Sequence, residues 1–368
     1  MRILVVIGTR PEAIKMLPLV RELKRHPQFD VLVCHSGQHE DMCRGIFEFF
    51  GIEPDVKFSV MREGRSLWEL SQKLQESFNS LFETEKFDLI LVHGDTTTAF
   101  CASLAAFYRG IKIAHVEAGL RTYKKDPFPE EFNRVAIDNM ASVHFPPTEE
   151  CVKNLAQEGI FRTQSVGNTV IDSFAYTLDE KYTSPVFENA RNRKIILITT
   201  HRRENLGEKM KNALLGIRDI LENRDDIYAV FPMHPNPAIR NIAREVLANT
   251  DNIELCEPLS VYDFHNILSR AFAVITDSGG IQEEAAYLGV PVFLLRDETE
   301  REEALRKGNV CLVGTQRDVV SGTFLKISED DATLSSMRRK STVFGDGTTG
   351  EKIAKKLLSI AKNNGIIK

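Results

Sequence analysis

Short apolar runs rich in β-branched residues alternate with longer amphipathic segments along this 368-residue chain. That rhythm constrains its fold more than any other feature. Ile3–Ile7, Val31–Cys34, Leu89–His93, Ile111–Val116 and Val143–Phe145 read as strands, and patterns at about 12–26, 39–50, 66–84, 96–109, 130–140 and 148–158 read as helices. The second half repeats the scheme, with strand candidates Ile195–Thr199, Tyr228–Met233, Ile253–Leu255, Val274–Thr276, Val292–Leu295 and Val310–Val313. Its helix patterns fall near 205–223, 236–248, 260–269, 279–288, 316–323 and 330–341, and a last amphipathic helix is expected over about Glu351–Lys362. Strands separated by helices in this way mean βαβ units and parallel sheets. About a dozen strands are too many for one comfortable doubly wound sheet, and the stretch around 167–193 carries little apolar periodicity apart from Val170–Ala175. The expected architecture is therefore α/β, with two Rossmann-like doubly wound parallel-sheet domains facing a cleft. The first would comprise 1–167 plus 352–368 and the second 168–351.

Composition narrows the function. Lys and Arg number 47 against 52 Asp and Glu, a formal net charge of −5. That balance excludes a broad basic footprint for nucleic acid and a general attraction to anionic membranes. The apolar runs fall well short of the ~18–20 residues a spanning helix needs, and Met1 leads straight into a strand pattern with no hydrophobic leader. A soluble, cytoplasmic protein is the expectation. None of the six cysteines forms a CxxC or a zinc-finger spacing, so no metal is expected; Cys34, Cys101 and Cys311, inside apolar runs, read as small core residues.

The chemistry gathers where strands end, because ligands of open parallel sheets sit at the carboxyl ends of their strands. The first strand runs into Gly8-Thr9-Arg10-Pro11-Glu12-Ala13-Ile14-Lys15. Pro11 suits the first helical position, and Arg10 and Lys15 would stand at a helix N-terminus, where free N–H groups favour anions. No GxGxxG or GxxxxGK[ST] follows any strand, so neither a dinucleotide cofactor such as NAD nor a P-loop is expected. Two acidic loops, His93-Gly94-Asp95-Thr96 and His115-Val116-Glu117-Ala118-Gly119-Leu120-Arg121, close further strands of the same half. Asp95 reads equally well as a cap of the helix beginning near Thr96. The acids of Pro129-Glu130-Glu131-Phe132-Asn133-Arg134 read by themselves as first-turn carboxylates of a helix. In the second half, Thr200-His201-Arg202-Arg203 can meet a diphosphate, and Asp277-Ser278-Gly279-Gly280 opens a helix whose backbone N–H groups can approach phosphate closely. Glu284, one turn on, can accept from ribose hydroxyls. Met233-His234-Pro235 is another polar strand end, explained nearly as well by loop geometry.

GTRPEAIK, HGDTTT, HVEAGLRT, PEEFNR, HRREN, MHPNP, TDSGGIQEEA and the TERE of Thr299–Glu302 stand in this order over nearly the whole chain. Together they resemble the non-hydrolysing UDP-N-acetylglucosamine 2-epimerases, enzymes with a GT-B-like pair of Rossmann domains. The resemblance implies interconversion of UDP-GlcNAc and UDP-ManNAc for surface polysaccharide synthesis, a homodimer, and no cofactor. It implies catalytic roles for Asp95, Glu117, Glu130 and His201, Glu130 matching as the first acid of the pair. It implies substrate contacts from Arg10, Lys15, Phe264, Ser278, Gly279, Gly280, Glu284 and Arg301. Such enzymes are often activated by a second molecule of UDP-GlcNAc; Gln38 and His39 match part of that pattern, with Arg202 and His234 as further candidates, whereas Asp41 and Gly64 stand where some activated relatives carry Gln and Arg. The residues themselves leave open a GT-B glycosyltransferase, or a nucleotide-sugar sensor without catalysis.

Overall fold

The computed structural model describes residues 1–60, 66–363, 365 and 366, with only the backbone of Arg203. Gly64 lies outside the described residues. Twelve strands form two six-stranded parallel sheets. The first sheet holds β1 (Arg2–Ile7), β2 (Asp30–His35), β3 (Val56–Lys57), β4 (Leu89–His93), β5 (Lys112–Val116) and β6 (Val143–Phe145). The second holds β7 (Lys194–Thr199), β8 (Ile227–Pro232), β9 (Ile253–Cys256), β10 (Ala273–Thr276), β11 (Val292–Leu294) and β12 (Val310–Leu312). Their orders, β3-β2-β1-β4-β5-β6 and β12-β11-β10-β7-β8-β9, are the same doubly wound pattern. Each reverses direction next to its first strand, at the β1/β4 and the β7/β10 junction, which is where such sheets bind ligands.

The central strands are buried along nearly their whole length, Ile3, Leu4, Val5, Ile196, Leu197 and Ile198 being wholly covered. Parallel strands covered by helices on both faces read as unbroken apolar runs for this reason. β3 is the one strand absent from the sequence-based expectation: its two residues pair only with Cys34 and His35 at the sheet edge, too short for any periodicity.

The chain divides into two compact units, Met1–Ala175 with Phe344–Lys368, and Tyr176–Val343. The stretch around 167–193, read as a break with little apolar periodicity apart from Val170–Ala175, contains helices Thr169–Thr177 and Pro185–Ala190. The first is buried on nearly all sides from Thr169 to Phe174, so it shows no polar stripe and stands out in sequence only as the apolar Val170–Ala175. The last helix, Thr349–Asn363, starts two residues earlier than expected. Asp172 fixes that start by accepting from Thr349 N at 3.1 Å and Gly350 N at 2.6 Å, and this tie keeps both segments in the first unit. A six-residue helix at Glu302–Lys307 was also not anticipated. All six cysteines are free thiols; Cys34 and Cys101 are buried, Cys311 only half-buried.

No helix among the described residues is long and apolar enough to cross a membrane.

Candidate active site

In the first unit, Glu117 follows β5 directly and adopts φ 67°. A left-handed backbone at a residue with a Cβ costs about 1–3 kcal/mol and persists only where its surroundings over-determine it. The surroundings here do so. Glu117 is buried, and its Oε2 accepts from Lys15 Nζ at 2.5 Å and from Asn168 Nδ2 at 2.5 Å. His93 Nε2 stands 3.6 Å from the same oxygen. Burial lowers the His93 pKa against the pull of Glu117, so this imidazole stays neutral near pH 7.

Asp95 lies at the end of β4, next to β5 in the sheet. The helix after it is capped by Thr96, whose Oγ1 accepts from Ala99 N, so the capping role open to Asp95 falls to its neighbour. The Asp95 carboxylate instead pairs with Arg134, and its carbonyl accepts from Asn133 Nδ2 at 2.8 Å. The Asn-Arg of PEEFNR thus serves Asp95 from the helix Glu130–Met140. Glu130 and Glu131 part company. Glu131 is buried with Oε1 accepting from Thr122 N (2.9 Å) and Tyr123 N (3.0 Å), which ties down the preceding loop. Glu130, the first helical residue, is half-buried.

The two acidic loops are locked together by His115, whose Nε2 lies 2.7 Å from Gly94 O and whose Nδ1 lies 2.6 Å from Asp138. Asp138 also meets Arg121 at 2.8 Å and Gly119 N at 3.1 Å. Burial by itself would raise Asp138, but His115 and Arg121 bring it down to about 2. A fixed anion at Asp138 therefore holds the loop that carries Glu117.

The helix Arg10–Lys24 begins at Arg10, with Pro11 second. Its N-terminus is already occupied. Glu12, buried, takes Gly8 N at 3.0 Å, Thr9 N at 2.6 Å and Thr9 Oγ1 at 2.9 Å on one oxygen, and Thr96 Oγ1 at 2.8 Å on the other. Arg10 is half-buried, while Lys15 points to Glu117. Gln38 Oε1 accepts from Thr98 Oγ1 at 2.7 Å; His39 N donates to Gly8 O at 2.9 Å, and His39 Nδ1 is buried with no hydrogen bond.

In the second unit, Ser278 is the N-cap of the helix Gly279–Leu288, which has neither a side-chain cap nor an acid in its first turn. A Cβ on Gly279 would fall 2.7 Å from Arg301 Nη1 and 3.0 Å from Glu300 Oε1; one on Gly280 would meet nothing within 4 Å. Only glycine allows Arg301 so close. Arg301 is itself buried and paired, Nε with Glu283 at 2.7 Å and Nη1 with Glu300 at 2.6 Å. Arg202 Nη2 stands 3.6 Å from Glu300. Asp277, fully buried, accepts from His201 N and Arg202 N at 3.1 and 3.0 Å and pairs with His201 Nδ1 at 3.1 Å. Burial would raise Asp277, yet His201 and these N–H groups bring it below the usual carboxylate range. With Nδ1 held by Asp277, the His201 side chain is 44% exposed. His234, at the end of β8, lies parallel to it with ring centroids 6.3 Å apart. Glu284 is buried, and its Oε2 has no hydrogen-bond partner. Phe264 is half-buried on the helix Val261–Ser269.

Sequence reading missed Glu12, Asn133, Arg134, Asp138, Asn168 and Asp277. Only Asp277, directly after β10, stood in a position that could have marked it.

A doubly wound sheet with a buried Glu117 and a half-buried Asp95 on neighbouring strand ends, and a second with an uncapped, glycine-lined helix and a carboxylate-held histidine, make up a two-unit Rossmann-like, GT-B-like fold. The UDP-N-acetylglucosamine 2-epimerase family model matches residues 21–358, and the chain belongs to that family. It is 42% identical to the Bacillus subtilis UDP-N-acetylglucosamine 2-epimerase over 364 residues, covering 97% of this chain and 95% of that one. Among solved structures, the Neisseria meningitidis UDP-GlcNAc 2-epimerase bound to UDP-GlcNAc superposes with a TM-score of 0.93 at 39% identity, covering 98% of this chain and 100% of the other. S. aureus MnaA, solved with UDP, does so with a TM-score of 0.92 at 38% identity, covering 100% and 97%.

Proposed function

We propose that this chain interconverts UDP-GlcNAc and UDP-ManNAc by eliminating UDP across C1–C2 and adding it back. The C2 proton is not adjacent to a carbonyl, so it is not acid enough for direct removal. Loss of that proton together with the C1–O bond gives UDP and a 2-acetamidoglucal. Re-addition of UDP at C1, with a proton delivered to the opposite face of C2, gives the epimer. The step needs carboxylates at C2 and donors on the departing diphosphate.

The observation that carries this reading is Glu117, a buried carboxylate on a left-handed backbone between Lys15 and Asn168. Asp95 and Glu130 complete the acid–base set; Glu131, spent on backbone N–H groups, is the poorer candidate of the pair. His201, Ser278, Gly279 and Gly280 receive the diphosphate, with Arg10, Lys15 and Arg301 adding positive charge. Glu284 takes the ribose, supported by its unpartnered Oε2, and Phe264 faces the uracil. The cycle consumes no redox equivalent, so the proposal includes neither NAD nor metal. It further comprises a cytoplasmic homodimer, activation by a second UDP-GlcNAc through Gln38, His39, Arg202 and His234, and supply of ManNAc to surface polysaccharide.

Purified protein given UDP-GlcNAc alone in deuterated buffer should form UDP-ManNAc, with deuterium entering C2 of both sugars on an NMR time course. Epimer without deuterium at C2, or no epimer at all, would overturn the proposal.

A further inference from the structure

Glu117 needs more than a counter-charge to act, because Lys15 reaches it on a flexible four-carbon stem that leaves the carboxylate plane undetermined. The second donor is of a different kind. Asn168 is buried, and each of its polar groups is engaged. Its Oδ1 accepts from Val170 N at 3.1 Å, which sets the amide so that Nδ2 points at Glu117 Oε2, 2.5 Å away. Its own N–H donates to Phe344 O at 2.6 Å, and its carbonyl accepts from Ile171 N at 3.1 Å. Gly167 before it, at φ 96°, passes so close to the returning chain that a Cβ would fall 2.8 Å from Gly345 Cα and 2.7 Å from Thr349 Oγ1. Asn168 therefore stands where the outgoing segment, leading to the boundary at Ala175, meets the incoming one, which starts at Phe344.

We propose that Asn168 is a positioning residue for the Glu117 carboxylate, and that through it the two segments by which the chain leaves and re-enters the first unit hold Glu117 in its working orientation. The inference rests on the reading of Glu117 as a carboxylate that handles the C2 proton. An amide fixed at both ends is a directional donor; it sets the carboxylate plane on a backbone that cannot relax. Removing it leaves at the same oxygen Lys15, a single-point donor, and the neutral His93. Misplacement of a reacting group by about 1 Å costs on the order of 100-fold in rate.

The test compares Asn168→Ala, Asn168→Asp and Glu117→Gln with the unaltered protein, following epimerisation by NMR, UDP affinity by calorimetry, and folding by circular dichroism and thermal melting. Asn168→Ala should lower kcat roughly 10- to 100-fold with KM changed less than about threefold. The nearly isosteric Asn168→Asp, which sets a carboxylate against a carboxylate, should lower it further. The acid limb of the kcat/KM profile should move to higher pH in Asn168→Ala, because a lost donor disfavours the charged form of Glu117. Glu117→Gln without activity beside Asn168→Ala at the original rate and acid limb would overturn the inference alone. Equal loss in both Asn168 variants, tracking a loss of melting temperature with an unmoved acid limb, would also overturn it. Full activity in Glu117→Gln would instead remove the reading of Glu117 on which the inference stands.

Discussion

The two sheets share one strand order, and each has a loop and a helix N-terminus at its switch point, yet the two N-termini are used in opposite ways. After β1 the chain supplies its own carboxyl group: Glu12 turns back onto Gly8 N and Thr9 N and reaches across to Thr96 beyond β4. After β10 the acid is Asp277, and it turns away from its own helix onto the backbone of His201 and Arg202 beyond β7. One helix end is filled and knits two loops together. The other is left with glycines, a serine and no side-chain cap. The same topology thus yields a helix start closed by its own side chain in one unit and a glycine-lined, uncapped cradle in the other. A fold alone would not separate these uses; the position of one carboxylate relative to its helix does.

The contrast is broken most severely at the chemistry. Glu117→Gln should cut kcat by about 10²–10⁴-fold while UDP binds with near-unchanged affinity in calorimetry; a parallel loss of UDP affinity would blur the division of labour. Next in size is Gly279→Ala. Its Cβ would collide with the Arg301 and Glu300 pair at 2.7 and 3.0 Å, so UDP affinity should fall about tenfold or more, and stability by about 1–3 kcal/mol. Gly280→Ala should show a split effect. With open space around its Cβ, the helix gains up to about 1 kcal/mol and the melting temperature rises, while UDP binding weakens a few-fold as a methyl group enters the cradle. A variant that binds UDP more tightly would contradict that cradle.

The smallest effect on binding belongs to Glu12→Gln, which should leave UDP affinity unchanged. Burial pushes Glu12 from 4.5 up to about 7. The folded chain then holds this proton more tightly than the unfolded chain. The associated stability is fully present below pH 4.5 and is lost as pH rises through about 7, on the order of 3 kcal/mol. Denaturant titrations across that range should show a shallower pH slope in Glu12→Gln; an identical slope would remove Glu12 as its source.

The strand rhythm made both sheets legible, since apolar runs buried on both faces can hardly be mistaken. The loops carrying Asp95, Glu117, His201 and Ser278 were legible because each follows a strand end. What stayed hidden acts across long separations. Asn168 lies 51 residues from Glu117, and Arg134 lies 39 from Asp95. No local period records such pairs; they exist only once the sheet has brought the strand ends together. Glu12 was hidden differently. In sequence it is an ordinary first-turn acid, and only the fold shows its carboxyl group closing on Gly8 N and Thr9 N and reaching Thr96. The helix Thr169–Thr177 showed in sequence only as the apolar Val170–Ala175, because burial from Thr169 to Phe174 leaves it no polar stripe.

The central claim is that the C1–O bond breaks in each turnover, so that UDP is released within the site before it returns. UDP-GlcNAc carrying ¹⁸O at the oxygen that bridges C1 and the β-phosphate tests this directly. The account predicts that ¹⁸O scrambles into the non-bridging positions of the β-phosphate in step with epimerisation, because the freed phosphate rotates before re-addition. Epimerisation with the label retained wholly in the bridge would contradict it.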